Sequence, residues 1–241
     1  MEKVNVAVLG ATGAVGRTMI RVLQERHFPM RSLKLLASPH SAGKVIDLGA
    51  KNGVVEEFSA AALKDVDLVF GAVDHDLAKE YAPLIRRSGA LFVDNSSAFR
   101  LDPDVPLVIP EINARDIRWH HGIVANPNCA TILAMMALSP ILKLTSIKRM
   151  IVSTYQAVSG AGMKGMDELE RQIRDPSAAP DVFPFPIAFN VIPQIGEFDE
   201  AGISSEEWKM QNEGRRILHE ASLQVCCTCV RVPVYRCHDL R

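Results

Sequence analysis

The stretch that most constrains the fold is the opening sixteen residues. VNVAVLG, positions 4–10, is a short apolar run that passes without a spacer into the turn GATGAVG and then into RTMIRVLQERH. Gly10, Gly13 and Gly16 stand at G-x-x-G-x-x-G spacing. A buried strand that ends in a glycine turn and enters a helix is the opening of a βαβ unit, because the helix has to cover a sheet face with no polar side. Glycine alone says little, since any tight turn favours it. Its place between strand and helix is the specific part, because there the backbone N–H groups can approach a diphosphate at the helix start.

The alternation continues. LKLLAS, KDVDLVFGAV and GALFVDNS read as further strands, and LAKEYAPLIRRSG reads as a helix stopped by Gly89. This order predicts an α/β fold with a doubly wound parallel sheet of the Rossmann type and right-handed crossovers. Near residue 125 the pattern changes. NPNCATILAMMALSPILKL reads as a buried helix, IKRMIVSTYQAV as a long strand, and SGAG as a turn before the Pro-rich loop DPSAAPDVFPFPIAFNVIPQ. A helix, SSEEWKMQNEGRRILHEA, and a final strand, VCCTCVRVPV, follow. Two domains are expected, residues 1–125 for dinucleotide binding and residues 126–241 as an α+β catalytic domain.

Charge narrows the function classes. With 27 Lys+Arg against 28 Asp+Glu, the formal net charge is −1, which argues against binding nucleic acid through bulk electrostatics. The longest apolar stretch, ATILAMMALSPILKL, is interrupted by Ser-Pro and Lys and is too short to span a bilayer. MEKVNVAVLG has no basic region leading into an apolar core and cleavage site, so a cytoplasmic protein is expected. The five cysteines are an odd count and are read as reduced thiols. Cys226, Cys227 and Cys229 lie in a β-like run whose neighbours face opposite ways, which argues against a tetrahedral metal site with Cys237 and His238.

Several residues carry candidate chemistry. The second strand ends in Ser38, Pro39, His40 and Ser41, with Lys44 following, where an NAD site usually places an acid. Hydroxyls and cations there suit a 2′-phosphate, and so NADP; an ordinary polar turn is the alternative. Cys129 opens an apolar helix just after Asn128, a good N-cap, where the positive end of the helix lowers a thiol pKa. A buried structural cysteine is the competing reading. A cysteine nucleophile beside a nicotinamide implies interconversion of an aldehyde and an acyl group through a thioester. Arg231 can fork onto a carboxylate or sit in a strand-edge ion pair, and His238 can move a proton or fray at the terminus. His120 and His121 read as a solvated corner. Glu206 and Lys209 share a helix face as a binding pair or a solvated ion pair, with Ser204 and Glu207 as a capping box. Arg100 can hold a phosphate or sit in solvent.

GATGAVG, LASPHSAGK, VDNSSAFR, VPLVIPEIN, NPNCAT, STYQAVSGAG, FPFPIAFNVIPQIG, EEWKM and CVRVPVYRCH follow one another in this order. Together they closely resemble the bacterial aspartate-β-semialdehyde dehydrogenases, over essentially the whole chain. The resemblance implies that Cys129 is the nucleophile, His238 the acid/base, and Gln156 the residue that orients the thioester. It implies that Arg231 and Glu206 bind the substrate carboxylate and amino group, with Arg100 and Lys209 on the phosphate. Gly10, Ala11, Thr12, Gly13, Ala14 and Val15, the turn with Ser38, His40 and Ser41, and Ser159 with Gly160 would hold NADP. The implied reaction is reduction of aspartyl phosphate to aspartate semialdehyde, in a homodimer serving lysine, threonine and methionine synthesis.

Three features depart from the family pattern. His40 stands where Arg is usual, which weakens or pH-tunes the grip on a 2′-phosphate. GAVDHD replaces a run of small residues. The chain also stops three residues after His238, so a C-terminally short copy with an incomplete second domain, an open sheet edge and exposed apolar surface is expected. Two rival functions stay open: a reductase of N-acetyl-γ-glutamyl phosphate using the same thioester logic, and an inactive remnant that still holds NADP.

Overall fold

A computed structural model of the chain describes residues 2–49 and 52–241. They form two compact units, Met1–Val108 with Ala114–Pro127, and Ile109–Asn113 with Asn128–Arg241. Residues 109–113 lie inside the first expected segment but cluster with the second unit.

The first unit is built on β1 (Val4–Leu9), α1 (Ala14–Glu25), β2 (Met30–Ala37), β3 (Val45–Asp47), β4 (Asn52–Glu57), β5 (Leu68–Gly71), α2 (His75–Ser88) and β6 (Leu91–Asp94). The short β7 (Ile123–Ala125) completes its sheet, in the order β3-β4-β2-β1-β5-β6-β7. All neighbouring pairs are parallel except β3 with β4. Val6, Val8, Leu35 and Val55 fill one buried cluster with Ile20 and Leu23 of α1, because a central parallel strand has apolar neighbours on both faces. The strand order reverses between β1 and β5, which is where a doubly wound sheet opens a crevice for a ligand. Asp74 accepts from Leu77 N–H at 3.0 Å as the N-cap of α2, so the GAVDHD segment serves as a helix start.

The second unit contains α3 (Pro110–Asn113), α4 (Cys129–Leu142), β8 (Arg149–Ala157), α5 (Gly162–Arg174), α6 (Ser205–Ile217), β9 (Gln224–Val232) and β10 (Asp239–Leu240). Its sheet runs β10-β8-β9, with β8 and β9 parallel and β10 antiparallel to β8. Met135, Leu169, Met210, Ile217 and Leu223 are among its buried side chains. Leu133 and Ile141 on α4 and Ile151 on β8 are exposed. The fold is thus mixed α/β: a parallel-dominated nucleotide-binding type of sheet, then an α+β unit.

Candidate functional site

In the first unit, the glycine turn is closed by backbone, not by side chains. Gly10 has φ +81°, and a Cβ there would sit 2.4 Å from the Ala72 carbonyl oxygen at the end of β5. A Cβ on Gly16 would sit 2.2 Å from the Gly10 oxygen. Both positions exclude any other residue unless the turn opens. Helix α1 starts after Gly13 with no side-chain cap and no acid in its first turn, so its positive end is left for an anionic ligand. Beyond β2, Ser38 is extended and Pro39–Ser41 make one 3₁₀ turn. The Thr12 hydroxyl donates to Ser41 Oγ at 3.5 Å and the Lys44 ammonium donates to it at 3.3 Å, while His40 is exposed. This donor set fits a phosphate better than the ribose diol that an acid would bind.

Arg100 also belongs to the first unit, and it is buried, not solvated. Its guanidinium donates to the carbonyls of Asn95 (2.9 Å) and Asn126 (3.0 Å). Nearby, Asp94 is fully buried and accepts from the Ser96 N–H and hydroxyl at 3.1 and 2.7 Å. Burial pushes its pKa up against those bonds.

The second unit holds Cys129, Gln156, Ser159, Gly160, Glu206, Lys209, Arg231 and His238. Cys129 is the first residue of α4 and is exposed. Asn128 caps that helix by accepting from the N–H groups of Ala130 (2.9 Å) and Thr131 (3.2 Å). The same Asn128 donates its side-chain amide to Glu206 Oε1 at 2.9 Å. Gln156 donates to the same oxygen at 3.1 Å and accepts the Thr154 hydroxyl at 2.9 Å. Lys209 donates to Glu206 Oε2 at 2.9 Å. Glu206 is only 6% exposed, so its partnership with Lys209 is not a solvated surface pair. Burial alone would raise its pKa, but the Lys209 charge and these hydrogen bonds outweigh that and hold it low, as a carboxylate.

Arg231 and His238 meet at one backbone residue. Arg231 Nη1 donates to the Ala157 carbonyl at 2.8 Å, and the Ala157 N–H donates to His238 Nδ1 at 3.0 Å. Arg231 is also fixed by antiparallel pairing with Ile192 and lies 5.7 Å from the Phe183 ring centroid. Burial lowers its pKa, against the opposing pull of Glu206 and Cys129. A Cβ on Gly160 would lie 2.7 Å from Arg231 Nη1 and 3.6 Å from His238 Cε1, so this glycine leaves room for both. His238 is not frayed: Val158 and Ser159 bond to Val234 and Tyr235 before it, and β10 pairs with β8 after it. Because Nδ1 accepts, the neutral ring carries its proton on Nε2. Burial and then the Arg231 charge lower its pKa, against a smaller pull from Glu206.

The sequence reading missed three participants. Glu213 is buried and accepts the Asn128 backbone N–H at 2.6 Å. Its signal was its spacing, seven residues from Glu206 and so on the same helix face. Glu207, expected only as a cap, closes the box with Ser204 and also accepts the Cys229 N–H at 3.2 Å. Ala157 acts through its backbone, which no side-chain pattern can announce.

The two halves of the chain resemble the two domains of one enzyme class. Residues 5–120 match the family model for the NAD binding domain of semialdehyde dehydrogenases, and residues 138–240 match the dimerisation domain of the same enzymes. Fold and site therefore define a protein of the semialdehyde dehydrogenase class. The chain is 44% identical over 242 residues to an aspartate-semialdehyde dehydrogenase of Synechocystis sp., covering 98% of this chain and 71% of that relative. It superposes with a TM-score of 0.95 and 42% identity on aspartate semialdehyde dehydrogenase II from Vibrio cholerae, solved complexed with ASA, over 100% of this chain and 73% of that one. The Candida albicans enzyme, solved with NADP, matches at TM-score 0.75 and 26% identity, over 99% and 70%. The chain belongs to the aspartate-semialdehyde dehydrogenase family.

Proposed function

We propose that this chain catalyses the NADP-dependent reductive dephosphorylation of L-4-aspartyl phosphate to L-aspartate 4-semialdehyde through a thioester on Cys129. The observation that carries the substrate class is the pairing of opposite charges beside the cysteine: Glu206 kept ionised while buried, and Arg231 fixed by Ala157 and Ile192. An α-amino acid presents a carboxylate for the Arg231 fork and an ammonium for Glu206. An N-acetylated acyl phosphate has no ammonium, and Glu206 would then be left buried beside an uncharged amide.

Each residue then has one task. The Cys129 thiolate, favoured at the positive end of α4, attacks the acyl carbon, and phosphate leaves with the bonding pair. Lys209 and Arg100 bind that phosphate. Gln156 orients the thioester carbonyl. Gly10, Ala11, Thr12, Gly13, Ala14 and Val15, with Ser38, His40 and Ser41 and with Ser159 and Gly160, would hold NADPH, which would supply the hydride. His238 donates a hydrogen bond from its Nε2–H to the oxyanion formed at the reduced carbon and keeps its proton. When that oxyanion collapses to the aldehyde, the carbon–sulfur bond breaks and the cysteine thiolate is restored.

This reading makes the protein a cytoplasmic enzyme of lysine, threonine and methionine biosynthesis. The dimerisation-domain match supports a homodimer, which sedimentation velocity tests directly. The deciding assay is oxidation of aspartate semialdehyde with NADP and phosphate, followed at the nicotinamide absorbance. Turnover that needs phosphate and disappears in Cys129→Ala is expected. No turnover from folded protein, or equal use of N-acetylated and free acyl phosphates, overturns the proposal.

A further inference from the structure

The catalytic reading uses one of five cysteines. Of the others, Cys227 and Cys229 are set against each other, with their sulfurs 3.5 Å apart. They stand two positions apart on β9 and so face the same side of the sheet, while Cys226, next to Cys227 on the same strand, faces the other. Cys229 is 1% exposed and Cys227 is half-buried, so one sulfur is sheltered and its partner is within reach of a small solute. Two cysteines are too few for a structural metal, and no group of three or more potential ligands occurs among the described residues.

We propose that Cys227 and Cys229 form a reversible dithiol site, which two-electron oxidants of the peroxide class close into an intrastrand disulfide. The two sulfurs share a hydrogen bond in which either can donate. Accepting from Cys227 and from the Thr154 hydroxyl draws the Cys229 pKa down, while that bond and burial push the Cys227 thiol up. Once Cys229 has given its own proton to solvent, the shared proton passes from Cys227 to Cys229 and leaves the thiolate on Cys227, the sulfur a solute can reach. The Cys227 thiolate attacks the peroxide, the O–O bond breaks, and a sulfenic acid and an alcohol or water result. Cys229 then attacks the sulfenic sulfur, the S–O bond breaks, and water leaves. Two thiols and one peroxide thus give one disulfide and two hydroxyl products, with two electrons passed to oxygen.

Closure needs modest movement. Residues i and i+2 of a strand lie about 6.6–6.8 Å apart, at the long end of the range a disulfide spans. A bond made there is readily reduced again by a thiol. The pair lies close to the candidate active site, since Thr154, which bonds Gln156, faces Cys229 in the β8–β9 register. It does not depend on the proposed reaction.

The test is peptide mapping of the full chain after hydrogen peroxide, with free thiols then blocked by iodoacetamide. Trypsin releases residues 217–231, which carry Cys226, Cys227 and Cys229; a Cys226→Ser chain leaves only the pair. That peptide should lose the mass of two hydrogens and take no alkyl group, then regain two alkylatable thiols after dithiothreitol. A further Cys227→Ser change should abolish the mass loss. In the unaltered chain, phenylarsine oxide, which bridges paired thiols, should protect Cys227 and Cys229 from alkylation, and Cys227→Ser should abolish that protection. Alkylation of both cysteines after peroxide, a bond to Cys129 or Cys237 instead, or no protection by the arsenical each overturns the proposal.

Discussion

His238 illustrates how one residue's chemistry is set by its neighbours. Its Nδ1 accepts the Ala157 N–H, so a second proton on the ring would have to displace that bond. Burial and Arg231 act in the same direction. An unfolded histidine takes up its proton near pH 6.5, as a general value, but the folded one resists until lower pH. Between those two points the unfolded state binds more protons, so stability falls as pH drops through that window and levels off below the folded midpoint. An NMR titration of the His238 ring should place its midpoint below that of a free histidine; a midpoint at or above 6.5 would refute the neutral-ring assignment. The acid limb of kcat/KM should fall with the same midpoint, and should move or vanish in His238→Asn. Gln156 makes the complementary point. Its amide is held at both ends, by Thr154 and Glu206, so its orientation is set by the fold, as the proposed role requires.

At the scale of elements, α6 breaks the ordinary pattern of a core-facing helix. Glu206, Met210, Glu213 and Ile217 form its buried stripe, and two of the four are carboxylates. Both reach Asn128, Glu206 through the side-chain amide and Glu213 through the backbone N–H. Helix α6 therefore fixes the start of α4, where Cys129 sits. Leu at 213 would leave the Asn128 N–H buried without that acceptor, while Gln keeps a carbonyl in its place. Denaturant unfolding should show Glu213→Leu destabilised by about 1–3 kcal/mol and Glu213→Gln by less than about 1 kcal/mol. Equal losses in the two variants would show that Glu213 acts by packing alone. Helix α5 works similarly on a loop: Glu168 accepts from Asp181 and Val182, and Gln172 accepts from Ile187 and Ala188. Its two buried polar residues interrupt the apolar stripe, which is why the sequence pattern did not announce this helix. The hairpin of β3 and β4 was missed for another reason: its strands are short, and exposed Val45 and Val54 sit beside buried Ile46 and Val55, so neither strand shows a clear apolar–polar alternation.

For the whole molecule, cofactor binding and chemistry belong to separate requirements and can be measured apart. NADP at a hundred times its Kd should stabilise the chain by about 2.7 kcal/mol through mass action. The shift in Tm should persist in Cys129→Ala, which lacks the proposed nucleophile, and should be smaller with NAD, since the turn after β2 carries hydroxyls and Lys44 with no acid. An equal shift with both cofactors would remove the case for a 2′-phosphate site. The order of strands and helices in the first unit was legible because it rests on local regularities: apolar runs, a turn that only glycine can make at Gly10, and Asn128 ahead of a helix. Cys129, Arg231 and the Glu206–Lys209 pair were identifiable as candidates from residue type and spacing, helped by the family motifs. Their working states were not. Asn128 meets Glu213 across 85 positions of chain, Ala157 meets His238 across 81, and Gln156 meets Glu206 across 50. Periodicity acts over a few residues and was carried by the sequence itself, whereas burial, charge pairing and the histidine proton depend on groups that only tertiary packing brings within hydrogen-bond reach.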